Sequence, residues 1–525
     1  MVFRSPYAEV EVPDVGLVQF VYAKAGDFAD KPALIDGLTG RTLSYAQLWQ
    51  GVQRVAGNLA RRGLNKGEVV ALYSPNLPEY TLAFHGVVLA GGVVTTANPL
   101  YTSDELAFQL RDAGAKFLVT VDALLEKALP AAQKAGVQEV FTIGADPSAT
   151  AFTELLQDAP PSPVSIQPQE DLVVLPYSSG TTGLPKGVML THYNLVANMV
   201  QVLGSGVNLQ PDERVIGILP FYHIYGMLVI LNLCLYKGMT IVTLPRFDLE
   251  LFLKTLQDYK ITRANLVPPI VLALAKHPIV DQYDLSNLRI IMSGAAPLGE
   301  EVARACAERL GCIVLQGYGL TETSPVTHVN PEDLARIKLA SVGPPIASTE
   351  CMIVDVGTGE PLGVRQEGEV WIRGPQVMRG YLNNPEATAA TITPEGWLRT
   401  GDIGYVDEEG YFYIIDRVKE LIKYKGLQVA PAELEAVLLS HPAVADVAVI
   451  PSPDEEAGEV PKAFVVLKAP ATAEELMDYV AERVAPFKKV RRIEFVEQIP
   501  KSPSGKILRR VLVQQERERQ QQGSQ

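Results

Sequence analysis

SSGTTGLPKG, residues 178–187, follows the apolar run DLVVLPY at residues 171–177, and the junction of the two decides the fold. An apolar run of this length reads as a strand buried on both faces, as in parallel sheets. The ten residues after it hold the hydroxyls of Ser178, Ser179, Thr181 and Thr182, the glycines Gly180, Gly183 and Gly187, and one cation, Lys186. Glycines let backbone approach a ligand closely, and clustered amides with hydroxyls form a donor cradle for phosphate oxygens. The spacing is not the Gly-x-x-x-x-Gly-Lys-Ser/Thr of a Walker loop, so a nucleotide held here is held differently. A strand that ends in a phosphate-binding turn predicts an α/β fold with its ligand at the strand's C-terminal end.

Outward from that junction the same rhythm recurs. The spacing of Leu48, Val52, Val55 and Leu59 predicts a helix over 44–62 closed by Gly63, and VVALY at 69–73 predicts a strand. Helix-then-strand pairs repeat at 104–113 and 116–120, at 249–259 and 264–267, and at 300–310 and 312–315. Largely parallel sheets covered by helices follow from this alternation. Between 341 and 413 short β-type runs separated by glycine and proline predict a β-rich subdomain. After Asp416 a new unit begins, with a helix over 431–440 that starts on Pro431, strands at 444–451 and 462–467, and a helix over 472–483. The expected organisation is an α/β N-terminal domain with its β-rich subdomain over 1–416, then a small, mobile α+β C-terminal domain over 417–525.

Composition narrows the function. With 525 residues the chain exceeds a single core, and a net charge of −14 argues against a nucleic-acid surface. The four cysteines (Cys234, Cys306, Cys312 and Cys351) show neither Cys-x-x-Cys spacing nor neighbouring histidines, so a reducing cytoplasm is expected rather than a disulfide or metal framework. No signal core opens the chain, and the apolar stretch 227–236 falls far short of the ~20 residues of a membrane helix. The sequence leaves the oligomeric state open.

Further polar, glycine-containing turns follow candidate strands. QGYGLTET at 316–323 supplies Gln316, space at Gly317 and Gly319, a flat face at Tyr318 for an adenine, the Thr321 hydroxyl, and the Glu322 carboxylate for Mg²⁺. TGD at 400–402 supplies Asp402, suited to the two hydroxyls of a ribose, and Arg417 suits a hydroxyl or phosphate oxygen.

These turns, with DRVKE at 416–420, KYKG at 423–426 and PSGK at 503–506, occur in the order found in adenylate-forming enzymes, which the chain resembles over essentially its whole length. Within that superfamily LPFYHIY at 219–225, GAAPLG at 294–299 and ELIKYKGLQVAPAELE at 420–435 are most similar to 4-coumarate/cinnamate–CoA ligases. The resemblance implies a two-step reaction in which a carboxylic acid and ATP give an acyl-adenylate and pyrophosphate, and coenzyme A then displaces AMP.

By the same resemblance Lys506 bridges the carboxylate and the α-phosphate, His223 contacts the acid, and Lys419 is the hinge. Lys423, Lys425 and Gly426 serve the thioester step, and Gln428 lies near the nucleotide. The acyl pocket is implied to be lined by Ile224, Tyr225, Val229, Met292, Gly294 and Ala295. Gly317, Gly319, Pro325 and Val326 complete it. The run TSPVT at 323–327 carries Ser324 and Thr327 where plant ligases carry glycine and leucine. Fatty acids therefore remain an alternative substrate class, and a luciferase-type monooxygenase ranks below them.

Overall fold

The computed structural model describes residues 1–160, 163–178, 185–425, 427–454, 457–502 and 505–523, with the side chains of 428, 517 and 520–523 outside the description. Among the described residues four sheets form. The first runs Gly380–Tyr381, Lys186–Thr191, Leu172–Ser178, Val93–Thr96, Val69–Tyr73, Ala115–Val121, Glu139–Ile143 and Thr150–Ala151. It is parallel from Leu172–Ser178 onward, and Lys186–Thr191 turns back antiparallel beside that strand. The second runs Val326–Val329, Ile313–Gly319, Ile290–Ser293, Arg263–Leu266, Arg214–Gly217, Thr240–Thr243, Pro32–Asp36 and Thr42–Ser44, parallel throughout its middle. The β-branched and leucine runs of these strands are buried because helices cover both faces.

Helices begin where the sequence offers caps. Tyr45–Arg61 opens on a reciprocal Ser44–Gln47 capping box, and Ser103–Ala113 opens on Thr102 and closes on Gly114 at φ 64°. The helices Pro78–Leu89 and His192–Leu203 are buried along most of their length. Their side chains join Val70, Val94 and Val174 of the first sheet to Val215, Ile241 and Ile291 of the second in one core.

The segment Tyr225–Asn232 is a π-helix. Asn232 donates back to the Met227 carbonyl at 2.8 Å and pairs with His85 at 3.0 Å, and His85 pairs with Tyr22 at 2.8 Å. Buried polar groups thus hold the widened turn where apolar contact alone would not fix it.

A third, antiparallel sheet orders Val2–Arg4, Glu350–Val354, Gly368–Arg373, Leu398–Val406 and Phe412–Arg417. The fourth contains Leu427–Val429, Ile422–Tyr424, Gly458–Leu467 and Val444–Asp454, with Arg492–Phe495 parallel to Gly458–Leu467. It has its own core around Leu434, Val449, Val465 and Leu476. Third and fourth sheets are joined by the turn 418–421. Across it the Asp416 carboxylate accepts the Ala432 amide at 2.8 Å, capping the helix Pro431–Ser440, whose own N-cap Ala430 has no side chain for the task.

Candidate active site

The C-terminal ends of Leu172–Ser178 and Ile313–Gly319 open into a cleft of 2810 Å³ that also reaches the turn at Lys506. Ser178 closes the first strand, and its hydroxyl donates to Glu322 Oε1 at 3.0 Å. The same oxygen accepts the Tyr381 hydroxyl at 2.8 Å. Burial first, and Glu322 second, push the Tyr381 phenol far up, so it stays a donor. Lys186 starts the returning strand with its ammonium 5.1 Å from the Tyr381 ring centre. The beginning of the first polar turn, at Ser178, is thereby tied to the end of the second, at Glu322. Ser179, Gly180, Thr181, Thr182 and Gly183 lie outside the described residues.

Asp402 and Arg417 face each other across adjacent strands, Oδ1 to Nε at 3.2 Å. The Tyr318 hydroxyl donates to Asp402 Oδ2 at 2.5 Å, which fixes its ring beside the cleft. Burial raises the Asp402 carboxyl above the usual range, and Arg417 opposes the rise. A carboxylate has about four acceptor positions, so room remains for ribose hydroxyls. Thr321 begins the short turn carrying Glu322 and lines the same cleft. Gln316 lines the cleft too, and its side chain is engaged with the protein. Its carboxamide accepts the Leu298 amide at 3.1 Å and donates to the carbonyls of Leu298 (3.1 Å) and Leu339 (2.5 Å), bracing the loop after Ile290–Ser293.

Lys506 enters from the fourth sheet's side on a tight turn. Its amide donates to Ser502 Oγ at 3.1 Å, and Gly505, at φ 77°, packs where an added Cβ would meet Val267 at 3.0 Å. Burial, then Arg417, lowers the Lys506 pKa, while Asp402, Glu322 and Glu420 act against that. Arg509, three residues on, binds Glu435 at 2.7 Å and also Glu420, anchoring the turn to the segment that joins the two sheets. Neither Tyr381 nor Arg509 is legible as functional from sequence, since both act through partners distant along the chain.

On the acyl side His223 is held neutral, its pKa pushed down to about 3 by burial and by the Lys506 charge. Its Nδ1 accepts the Tyr225 amide at 3.3 Å, which places the proton on Nε2. The Tyr225 hydroxyl donates to the Met292 carbonyl at 3.0 Å. A Cβ on Gly294 would lie 2.9 Å from the Tyr225 ring, and one on Gly319 would lie 2.0 Å from the Pro325 carbonyl oxygen. Ala295 adopts φ 71°, turning the chain sharply at the mouth. Ile224, Val229, Gly317, Pro325 and Val326 also line the cleft. Ser324 and Thr327 do not. The Ser324 hydroxyl donates to the Gln376 carbonyl at 2.9 Å, and that of Thr327 to the Tyr318 carbonyl at 3.1 Å.

Two family matches cover most of the chain: AMP-binding enzyme over residues 21–382 and AMP-binding enzyme C-terminal domain over 433–506. The chain belongs to the AMP-binding enzyme family. It is 46% identical over 523 residues to a 4-coumarate–CoA ligase of Pinus taeda, covering 97% of each chain. To 4-coumarate–CoA ligase 1 of Petroselinum crispum it is 44% identical, covering 98% of this chain and 96% of that one. A solved anthranilate CoA ligase in complex with anthranoyl-AMP superposes with a TM-score of 0.89 at 28% identity, over 96% of this chain and 98% of that chain. The fold is that of adenylate-forming enzymes.

In this AMP-binding enzyme the candidates for the thioester step are divided between the cleft that Lys506 also lines, which Lys423 borders, and a second pocket. Lys423 is exposed in Ile422–Tyr424 and its amide donates to Glu459 at 2.8 Å. Lys425, at φ 48°, lines a separate 250 Å³ pocket with Tyr424, Arg491 and Arg492. Gly426 and the Gln428 side chain lie outside the described residues, and Lys419 sits in the turn between the two sheets. Among the described residues no cluster of three His, Cys, Asp or Glu could hold a metal unaided. A single carboxylate such as Glu322 fits Mg²⁺ that arrives with ATP, because that ion commonly takes one or two carboxylates and completes its shell with phosphates and water.

Proposed function

We propose that this AMP-forming acid–CoA ligase activates phenylpropenoic and related aromatic acids, with 4-hydroxycinnamate as the type substrate. The observation that carries the reading is the lining of the acyl cavity, where the Tyr225 ring packs close against Gly294 and lines the cleft with Gly317, Gly319, Pro325 and Val326. An aromatic face among small and apolar residues suits a flat ring, which can stack on it, better than a flexible alkyl chain. Ser324 and Thr327, the departures from the plant pattern, spend their hydroxyls on the carbonyls of Gln376 and Tyr318 and do not line the cleft.

In the first step the acid's carboxylate oxygen attacks the α-phosphorus of ATP and the bond to the β-phosphate oxygen breaks, releasing pyrophosphate. Both reactants are anionic, so Lys506 between them supplies the charge that makes approach possible. Lys186 and the Ser178–Gly187 turn hold the phosphates. Asp402 takes the ribose, Tyr318 the adenine, and Arg417 a ribose or phosphate oxygen. His223 Nε2–H orients the acid. Mg²⁺ on Glu322 would supply neutralising charge to the triphosphate. In the second step the coenzyme A sulfur attacks the acyl carbonyl and AMP departs. For that step residues 417–525 turn about Lys419 as a lid on the 1–416 domain and exchange Lys506 for the Lys423, Lys425 and Gly426 region, with Gln428 near the nucleotide. The four cysteines are free and buried, which suits a cytoplasmic setting.

Pyrophosphate release measured over cinnamic, 4-hydroxycinnamic, benzoic and C6–C16 fatty acids, with and without coenzyme A, tests the reading. The expected result is a kcat/KM for phenylpropenoic acids at least about 10-fold above any fatty acid, the size of effect that pocket shape supplies. A fatty acid that outperforms every aromatic acid would overturn it.

A further inference from the structure

Behind the nucleotide side of the cleft lies a row of buried polar groups, Thr327, His328 and Cys351, that do not line it. His328 stands in Val326–Val329 directly opposite Tyr318 of Ile313–Gly319, and both His328 and Cys351 are fully buried. Its Nδ1 is 3.0 Å from the Thr327 hydroxyl and its Nε2 is 3.5 Å from the Cys351 sulfur. Its ring centre lies 5.7 Å from that of Tyr318 and 4.5 Å from that of Phe412.

Counting protons gives this row a direction. The Thr327 hydroxyl has one proton and donates it to the Tyr318 carbonyl at 3.1 Å. The contact with His328 Nδ1 therefore takes its proton from the ring. Burial keeps the imidazole neutral, its pKa pushed down to about 3, so Nε2 carries no proton and accepts from the Cys351 thiol. Thiol, imidazole and hydroxyl each donate to the next group, and the chain ends on the backbone of Tyr318.

That end point is a break in the sheet. The pairing of Ile313–Gly319 with Val326–Val329 shifts register between Tyr318 and Gly319. Such a shift bends a strand and re-aims the side chain beside it, and bulges are over-represented next to active sites for that reason. The Thr327 hydroxyl holds the Tyr318 carbonyl at the break, and the Tyr318 hydroxyl meets Asp402 at 2.5 Å. Apolar side chains would fill the same space without fixing the bulge. A satisfied hydrogen-bond chain in a dry interior selects one geometry.

We infer that His328 is a positioning residue for the nucleotide, acting through Thr327 and the Tyr318 backbone to set the ring that stacks on the adenine and the hydroxyl that holds Asp402 beside the ribose. The inference rests on the nucleotide assignments proposed above.

The test is calorimetric titration of the full-length enzyme with AMP and, separately, with magnesium pyrophosphate, so that no acid need be chosen. His328→Leu should weaken AMP about 10-fold, within the range that loss of base stacking spans, and leave pyrophosphate within about 2-fold. Thr327→Val, which removes the hydroxyl, should weaken AMP comparably, and Thr327→Ser, which keeps it, should bind AMP as the unmodified enzyme does. Urea midpoints report what each variant costs the fold. A purely structural role would lower the midpoint and leave the ratio of AMP to pyrophosphate affinity unchanged, and that result overturns the inference. Equal losses of AMP affinity in Thr327→Val and Thr327→Ser overturn it too. Should His328→Leu fail to fold, the two Thr327 variants decide. AMP affinity unaffected by Tyr318→Leu removes the adenine platform itself, whereas a loss in Tyr318→Leu with normal AMP binding in His328→Leu removes the role of His328 alone.

Discussion

Replacing Lys506 with alanine isolates the charge that the first half-reaction needs. The Lys506 turn is held by backbone contacts, the 506 amide on Ser502 Oγ and Gly505 against Val267, and these survive the substitution. What is lost is one ammonium in a cleft it shares with Asp402, Glu322 and Arg417. Two unit charges about 4 Å apart at an effective dielectric near 20 interact by about 4 kcal/mol, which corresponds to about a thousandfold in rate. ATP–pyrophosphate exchange should therefore fall about 10³-fold. Thioester formation from supplied acyl-AMP should fall by less than about 5-fold, because the proposed domain rotation takes Lys506 away from the cleft for that step. Equal losses in the two assays would refute the assignment, as would exchange that proceeds unchanged. The pH profile gives an independent check. Burial and Arg417 hold the Lys506 pKa below that of an ordinary lysine, so the alkaline limb of exchange should begin earlier than a solvated ammonium would allow, and Lys506→Arg should move it upward.

Two further expectations rest on separate parts of the molecule. Glu322→Gln keeps an acceptor for Ser178 and Tyr381 but removes the charge, so it should raise the Mg²⁺ concentration needed for half-maximal exchange about 10-fold or more. An unchanged Mg²⁺ dependence would move the ion elsewhere. Buried histidines should make the fold acid-labile: His85 and His192 are pushed down to about 4, and His223 and His328 to about 3, in each case mainly by burial. Their folded pKa values lie below the unfolded 6.5, so their contribution is intact above that pH. It drains as pH falls, because the unfolded chain takes up protons first, by about 1.4 kcal/mol per unit and histidine. Asp416, raised to about 6 by burial, acts in the opposite sense, so the comparison with a variant is the readout. In urea titrations His85→Gln should lose about 2 kcal/mol less than the unmodified enzyme between pH 6.5 and 5, and identical losses would show that His85 is not held neutral.

What the sequence made legible are features written locally. A strand followed by a polar glycine-rich turn needs only adjacent residues, so Ser178, Tyr318, Glu322 and Asp402 could be found from runs of ten residues or fewer, and the structure gathers them around one cleft. Features that depend on pairing across the chain were not legible. Val2–Arg4 completes the third sheet by pairing with Glu350–Val354, and nothing in three residues announces that partner. The π-helix Tyr225–Asn232 reads as an ordinary apolar stretch until His85 and Tyr22 arrive from elsewhere to pair with Asn232 and each other. Gln316 combines the two cases, a residue in a legible motif that lines the cleft while its side chain bonds Leu298 and Leu339, contacts that no local run announces.

The acyl side of the cleft shows why acid choice is harder to read than reaction type. On the proposed reaction the phosphate turn can be local, because every substrate brings it the same triphosphate. The residues that line the acyl side come from separate parts of the chain. Met292 stands in Ile290–Ser293, Gly317 and Gly319 in Ile313–Gly319 and Val326 in Val326–Val329, and strand pairing sets them side by side. Tyr225 joins them by donating to the Met292 carbonyl from 67 positions away. No run of ten residues holds that wall, so its shape follows from register and not from any local motif.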